Sequence, residues 1–214
     1  MGSLLRMVSR ALLLCVLALP AGAHAAATIL VLGDSISAGY GLPREQGWVS
    51  LLQQKLTREN YDYRVVNASI SGDTTFGGKN RIAPALKAHR PSIVVVELGG
   101  NDGLRGAPPE SIADNLTAIA RACRGAGARV LLVGMRVPPN YGSGYSAKFH
   151  DLFRELAARD KLALVPFLFE GFAEKRELFQ PDGIHPTAAA QPLLLDNVWK
   201  GLAPMLQRRG QGAH

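Results

Sequence analysis

Two short runs, about 150 residues apart, hold residue types whose chemistry is complementary. Gly33-Asp34-Ser35 stands where an apolar run over 28–32 stops, and Asp182-Gly183-Ile184-His185 lies near the C-terminus. A serine hydroxyl is a weak nucleophile at neutral pH and needs a base to take its proton during attack. An imidazole can do this, and a carboxylate three residues before it can fix the ring tautomer and stabilise the imidazolium. Ser35 is thus the candidate nucleophile, His185 the general base and later acid, and Asp182 the orienting carboxylate. Each has a bland reading, since serines cap helices and Asp-Gly is a common turn pair. Alone, the first run leaves the two readings balanced and the second favours a turn. Together, with His-Pro leading into a helix, they favour catalysis.

The other four histidines compete poorly. His24 lies in an N-terminal leader, His214 at the chain end, and His89 at a helix end where a cation suits the dipole. His150 is the serious rival, with Asp151 beside it. It falls inside a helix expected over 146–159, where sequence neighbours point in different directions.

Two further polar turns follow strand-like runs, NASISGDT at 67–74 and ELGGNDG at 97–103. They supply candidate donors for a tetrahedral oxyanion: the backbone N–H of Gly72, the side-chain amide of Asn101, and the N–H of Ser35 itself. Asp34, Asp73 and Asp102 read as scaffolding for nearby loop amides. A divalent-metal site from Asp34, Asp102, Asp182 and His185 is the competing reading. It leaves Ser35 and Asn101 without a task, so no metal ligand is assigned.

These turns need elements to carry them. Apolar strand-like runs at 28–32, 63–67, 92–98, 129–135 and 162–167 alternate with helical patterns at 47–60, 75–89, 109–124, 146–159 and 187–207. Pro84 is expected to interrupt or restart the second helix, because proline removes an interior hydrogen bond. Such alternation predicts an α/β fold with a five-stranded parallel sheet covered on both faces. Ligands of such sheets bind beyond the carboxyl ends of the strands. The Ser35, Gly72 and Asn101 turns follow the first three strands and DGIH follows the fifth, so all four emerge on one side.

Residues 1–25 read as a cleaved signal peptide. Arg6 and Arg10 precede an apolar stretch over 11–19, and Ala23-His24-Ala25 has the form of a cleavage site. The stretch is shorter than the roughly 20 apolar residues a spanning helix needs. Cleavage would leave a single domain over 26–207 and a disordered tail over 208–214, and would remove two positive charges from a formal net charge of +7. The remaining basic residues are scattered without an aromatic stripe, which argues against nucleic-acid binding. Cys123 is left as the one cysteine, on the apolar stripe Ile112, Leu116, Ile119, Cys123, and reads as core packing rather than a thiol nucleophile.

The blocks GDSISAGYG, NASISGDT, VELGGNDGLRG and DGIHP resemble the four signature blocks of the SGNH (GDSL) hydrolases, in order, within a similarity over about 28–206. The resemblance implies the same roles for Ser35, Gly72, Asn101, Asp182 and His185, a flavodoxin-like three-layer sandwich, and no cofactor. It also implies that the loops at 103–108 and 136–145 shape an acyl site, with Leu104, Val137 and Tyr141 as contacts. The Gly-x-Ser-x-Gly elbow of the ordinary α/β-hydrolases is absent.

The resulting expectation is an exported serine esterase and thioesterase, periplasmic or secreted. It would be monomeric, not inserted in a membrane, and would act on small ester, thioester or lysophospholipid substrates. Two alternatives stand beside it: an O-acetyl esterase of envelope glycans, and an exported binding module without catalysis.

Overall fold

The computed structural model describes residues 26–208, apart from the side chain of Pro139. The leader over 1–25 and the tail residues 209–214 lie outside the described residues. Five strands, β1 (Ala27–Gly33), β2 (Tyr63–Asn67), β3 (Ile93–Glu97), β4 (Arg129–Val133) and β5 (Ala163–Val165), form one parallel sheet in the order β2-β1-β3-β4-β5. The α/β architecture expected from the alternation is the one observed.

Among the described residues seven α-helices accompany the sheet: α1 (Ser35–Ala38), α2 (Trp48–Arg58), α3 (Thr75–His89), α4 (Gly100–Leu104), α5 (Pro109–Gly125), α6 (Ser143–Asp160) and α7 (Gln191–Leu202). Helix α2 packs with α7 on one side, and α3, α5 and α6 pack in succession on the other. Because both faces are covered, the central strands are continuously apolar instead of alternating. Ile29 to Leu32 on β1 and Ile93 to Val96 on β3 are almost wholly shielded from water. Each such side chain contributes about 1.5–3 kcal/mol by leaving water. The stripe Ile112, Leu116, Ile119 and Cys123 is buried on α5, and burial pushes the Cys123 thiol up to about 12.

The departures from expectation follow from prolines and polar turns. Pro84 does not interrupt α3, which runs unbroken through it. Pro84 is exposed, so water can reach the carbonyl left without its donor, while Ile82 and Leu86 hold the helix to the core. The last helix is shorter than the expected 187–207. A 3-10 turn at Ala188–Ala190 leads into α7, and a second at Ala203–Met205, containing Pro204, ends it. Strand β5 stops at Val165, before Pro166, which has no N–H for a ladder. Helix α6 begins at Ser143, earlier than expected, after Gly142 at φ 86°.

Two residues assigned to or beside the tail make contacts. The Gln207 N–H donates to the Tyr63 hydroxyl at 3.2 Å, and the Arg208 guanidinium lies 5.5 Å from the centre of the Tyr61 ring. Among the described residues no helix is long and apolar enough to cross a membrane.

The register sets the site. Gly33 pairs with Glu97 where β1 and β3 end, and β2 ends alongside at Asn67. Chain order reverses across β1, with β2 on one side and β3 on the other, so the first three polar turns leave the sheet around its switch point.

Candidate active site

Ser35 is the first residue of α1, directly past the end of β1. The turn is held from its own sequence: the Asp34 carboxylate caps the helix by accepting from the Ile36 N–H at 3.0 Å. His185 arrives from a segment 150 residues away. Its Nε2 lies 2.9 Å from Ser35 Oγ, and its Nδ1 lies 2.7 Å from Asp182 Oδ2. The three side chains thus form one chain of hydrogen bonds, hydroxyl to imidazole to carboxylate. His150 is indeed 3.5 Å from Asp151, so sequence neighbours on this helix do meet. The contact with Ser35 nevertheless belongs to His185.

The loop carrying Asp182 and His185 is a tied structure. Phe179 bridges Pro186, the Gln180 N–H donates to the His185 carbonyl at 2.7 Å, and the Thr187 N–H donates to the Leu178 carbonyl at 2.8 Å. Arg176 donates to the carbonyls of Phe179, Gln180 and Pro181, and Gln180 Nε2 reaches the Tyr40 carbonyl at 2.8 Å. Gly183, at φ 73°, makes the tight turn that lets Asp182 fold back on the residues following it. Asp182 Oδ1 accepts from the N–H groups of Ile184 and His185 at 2.9 and 3.0 Å. The His185 ring and these amides hold the Asp182 carboxyl down at about 2. It is therefore an anion beside the imidazole at any ordinary pH, as a partner for imidazolium must be.

The candidate oxyanion donors are less straightforward. Gly72 has φ 79°, and no atom lies within 4 Å of where a Cβ would stand, so a substrate can approach this backbone closely. Arg105 secures the same turn by donating to the Gly72 carbonyl at 3.3 Å. Asn101, on α4, donates through Nδ2 to Asp34 Oδ2 at 3.1 Å and to the Asp73 carbonyl at 3.0 Å. Both amide hydrogens are thus engaged, and stabilising an oxyanion requires one of them to be shared. Asp73 and Asp102 brace loops as expected. Asp73 binds Arg81 and the Thr74 N–H, and Asp102 accepts from the Thr75 N–H and hydroxyl at 2.9 and 2.6 Å. Of the four residues weighed as a metal set, Asp102 is turned to Thr75, Asp34 to the Ile36 N–H and Asn101, and Asp182 and His185 to each other.

Three residues with evident parts in this site are missing from the sequence reading. Tyr40 lays its ring 4.4 Å, centre to centre, from that of His185 at a tilt of 36°. Arg176 braces the His185 loop, with nothing local to announce it. Glu97 lies fully buried beneath α1, and its signal was visible: a carboxylate inside the apolar run SIVVVEL. Burial also drives the Asp34 carboxyl up to about 6, partly offset by the Ile36 amide, Asn101 and His185.

The residues expected to contact an acyl chain are distributed unevenly. Leu104 ends α4 half-buried, and its carbonyl accepts from the Tyr141 hydroxyl at 2.7 Å, tying the 136–145 loop to the Asn101 segment. Val137 is nearly buried, packed under Gly103 so closely that a Cβ there would stand 2.7 Å from it. Tyr40, Ile70 and Ile184, on three of the segments that build the site, are large apolar side chains left exposed.

The chain is similar to known proteins over most of its length. The GDSL-like Lipase/Acylhydrolase family matches residues 31–192. Esterase TesA of Pseudomonas aeruginosa is 54% identical over 182 residues, 85% of this chain and 90% of that one. An arylesterase of Vibrio mimicus is 42% identical, covering 95% of this chain and all of its own (100%). Thioesterase 1/protease 1/lysophospholipase L1 of Escherichia coli K12 is 43% identical over 86% of this chain and 87% of that one. A crystal structure of TesA superposes with a TM-score of 0.82 at 54% identity, covering 84% of this chain and 99% of that one. The family resemblance read from the four blocks is therefore real, and this chain belongs to the GDSL-like lipase/acylhydrolase family.

Proposed function

We propose that this protein is an exported serine hydrolase that cleaves carboxylic esters and thioesters through an acyl-enzyme on Ser35. The observation that carries the reading is the continuous contact from Ser35 Oγ through the His185 ring to Asp182, at 2.9 and 2.7 Å. His185 Nε2 takes the Ser35 proton as Oγ bonds to the substrate carbonyl carbon. The resulting oxyanion is met by the N–H groups of Ser35 and Gly72 and by one shared hydrogen of Asn101. His185 then gives its proton to the departing alcohol or thiol as the C–O or C–S bond breaks. Water, deprotonated by the same ring, releases the acid and restores the hydroxyl.

The exposed apolar side chains of Tyr40, Ile70 and Ile184 favour acyl or aryl substrates over an O-acetylated sugar. The relatives named esterase, arylesterase and thioesterase/lysophospholipase support the same class. Export rests on the leader-like sequence over 1–25. An acyl-CoA would then be out of reach, and envelope esters or lysophospholipids are the substrates that fit.

The test is turnover of p-nitrophenyl esters of increasing chain length, an acyl thioester and a lysophospholipid, with fluorophosphonate labelling of Ser35. A protein that neither labels nor turns over any of them is not this enzyme. Asn101→Ala should lower kcat by about 10²- to 10³-fold, the usual cost of removing one oxyanion donor. Unchanged kcat in that variant would remove Asn101 from the mechanism.

A further inference from the structure

Glu97 closes β3 with no exposure to water, in a strand otherwise made of isoleucine and valine. A carboxyl there gives up its hydration and packs no better than an aliphatic side chain would. Its contacts are specific. Oε2 accepts from the Ser37 hydroxyl at 2.7 Å and lies 3.4 Å from the Asp34 N–H, so it holds residues on both sides of Ser35. The fit is close as well. Gly33, its partner across the β1–β3 ladder, has no space for a methyl group: a Cβ would lie 2.7 Å from Ser37 Cβ and Oγ and 2.8 Å from Glu97 Oε2. The other carboxyl oxygen, Oε1, is buried without a hydrogen-bond partner.

We propose that Glu97 is a positioning residue for the hydrolytic reaction: through Ser37 and the Asp34 amide it fixes the first turn of α1 and so aims Ser35 Oγ at His185 Nε2. The inference rests on the reading of Ser35 as nucleophile.

The surroundings of Glu97 say in which form it acts. From α1 it meets Ser37, and from β1 it faces Gly33. Arg81 of α3 spends its guanidinium on Asp73 and on the Gly33 and Ala68 carbonyls. Asp34 is the nearby charge, and it is negative. Burial, with Asp34 adding to it, drives the Glu97 carboxyl well above its ordinary value, which favours its uncharged form. Since Glu97 acts through one accepting oxygen held in a fixed place, glutamine should replace it and alanine should not.

The experiment compares Glu97→Gln, Glu97→Ala and Ser37→Ala with the wild-type full chain. It reads kcat and KM on a p-nitrophenyl ester and the rate of Ser35 labelling by a fluorophosphonate. Glu97→Gln should stay within about 3-fold of wild type in both rates. Glu97→Ala should lower kcat and the labelling rate by about 10- to 100-fold, as misplacement of a reacting atom does. KM should stay within about twofold, because no substrate contact is touched. Ser37→Ala, a smaller change, should lower both rates by about 3- to 10-fold. Wild-type rates in Glu97→Ala, or a Glu97→Gln variant as slow as Glu97→Ala, would overturn the proposal. If Glu97→Ala fails to fold, an undiminished labelling rate in Ser37→Ala overturns it instead. A wild-type protein that does not label at Ser35 defeats the nucleophile reading itself, which the variant series does not test.

Discussion

Ser35→Ala is expected to lower kcat by about 10⁴-fold or more and to abolish labelling by a fluorophosphonate, while the protein stays folded. The size of the loss follows from what the hydroxyl does. In the proposed reaction its oxygen forms the covalent bond to the acyl carbon, and among the described residues no other side chain is bonded to His185 Nε2 in its place. Residual catalysis would come from the oxyanion donors and from binding alone. The change in stability should be small, because alanine removes one hydroxyl whose hydrogen bond is worth about 0.5–1.5 kcal/mol net. Thermal melting and ester turnover measured on the same preparation separate the two effects. Turnover equal to wild type would end the assignment of Ser35.

Asp182→Asn is expected to have the next largest effect, lowering kcat by about 10³- to 10⁴-fold with little change in KM. Asparagine can keep the bonds from the Ile184 and His185 N–H groups through its carbonyl oxygen. Its amide would then face His185 Nδ1, and an N–H there selects the tautomer whose Nε2 carries a proton. That tautomer cannot accept the proton of Ser35. Steady-state kinetics on an aryl ester check this, and a loss below 10-fold would show that Asp182 does not set the tautomer.

The same carboxylate makes a statement about pH. Its value in the folded protein, about 2, lies below the ordinary 3.8, so folding favours the charged form. The stabilisation from its bonds is fully present above about pH 4 and is lost as pH falls through 2. The effect on stability is modest, since the Asp182 side chain is 39% exposed and water screens it. An acid limb in the pH–rate profile above pH 4 therefore does not report protonation of Asp182.

The strands were legible because a parallel sheet covered on both faces demands continuous apolar runs, and TILVL and SIVVVEL are such runs. Their carboxyl-end turns could then be placed on one side without further information. Pro84 misled because proline's local cost is fixed by chemistry, whereas its tolerance depends on exposure and on the anchors beside it. Asn101 was recognised by type, but its engagement by Asp34 and the Asp73 carbonyl was not readable. Those partners come from two other segments. Tyr40 and Arg176 escaped notice for the same reason. Glu97 was readable in principle, since a carboxyl in a shielded strand must find hydrogen-bond donors or shed its charge.

Residue identity and short-range spacing were enough to name the candidate reacting groups, the five strands and the side of the sheet on which the groups emerge. These properties depend on side-chain chemistry and on periodicity over a few residues. Three-dimensional packing alone decided that Ser35 Oγ and His185 Nε2 stand 2.9 Å apart, and that Glu97 supports the turn from below. Contacts between segments 60 to 150 residues apart depend on how the sheet closes and how the long 166–187 segment is tied, and no local pattern encodes either.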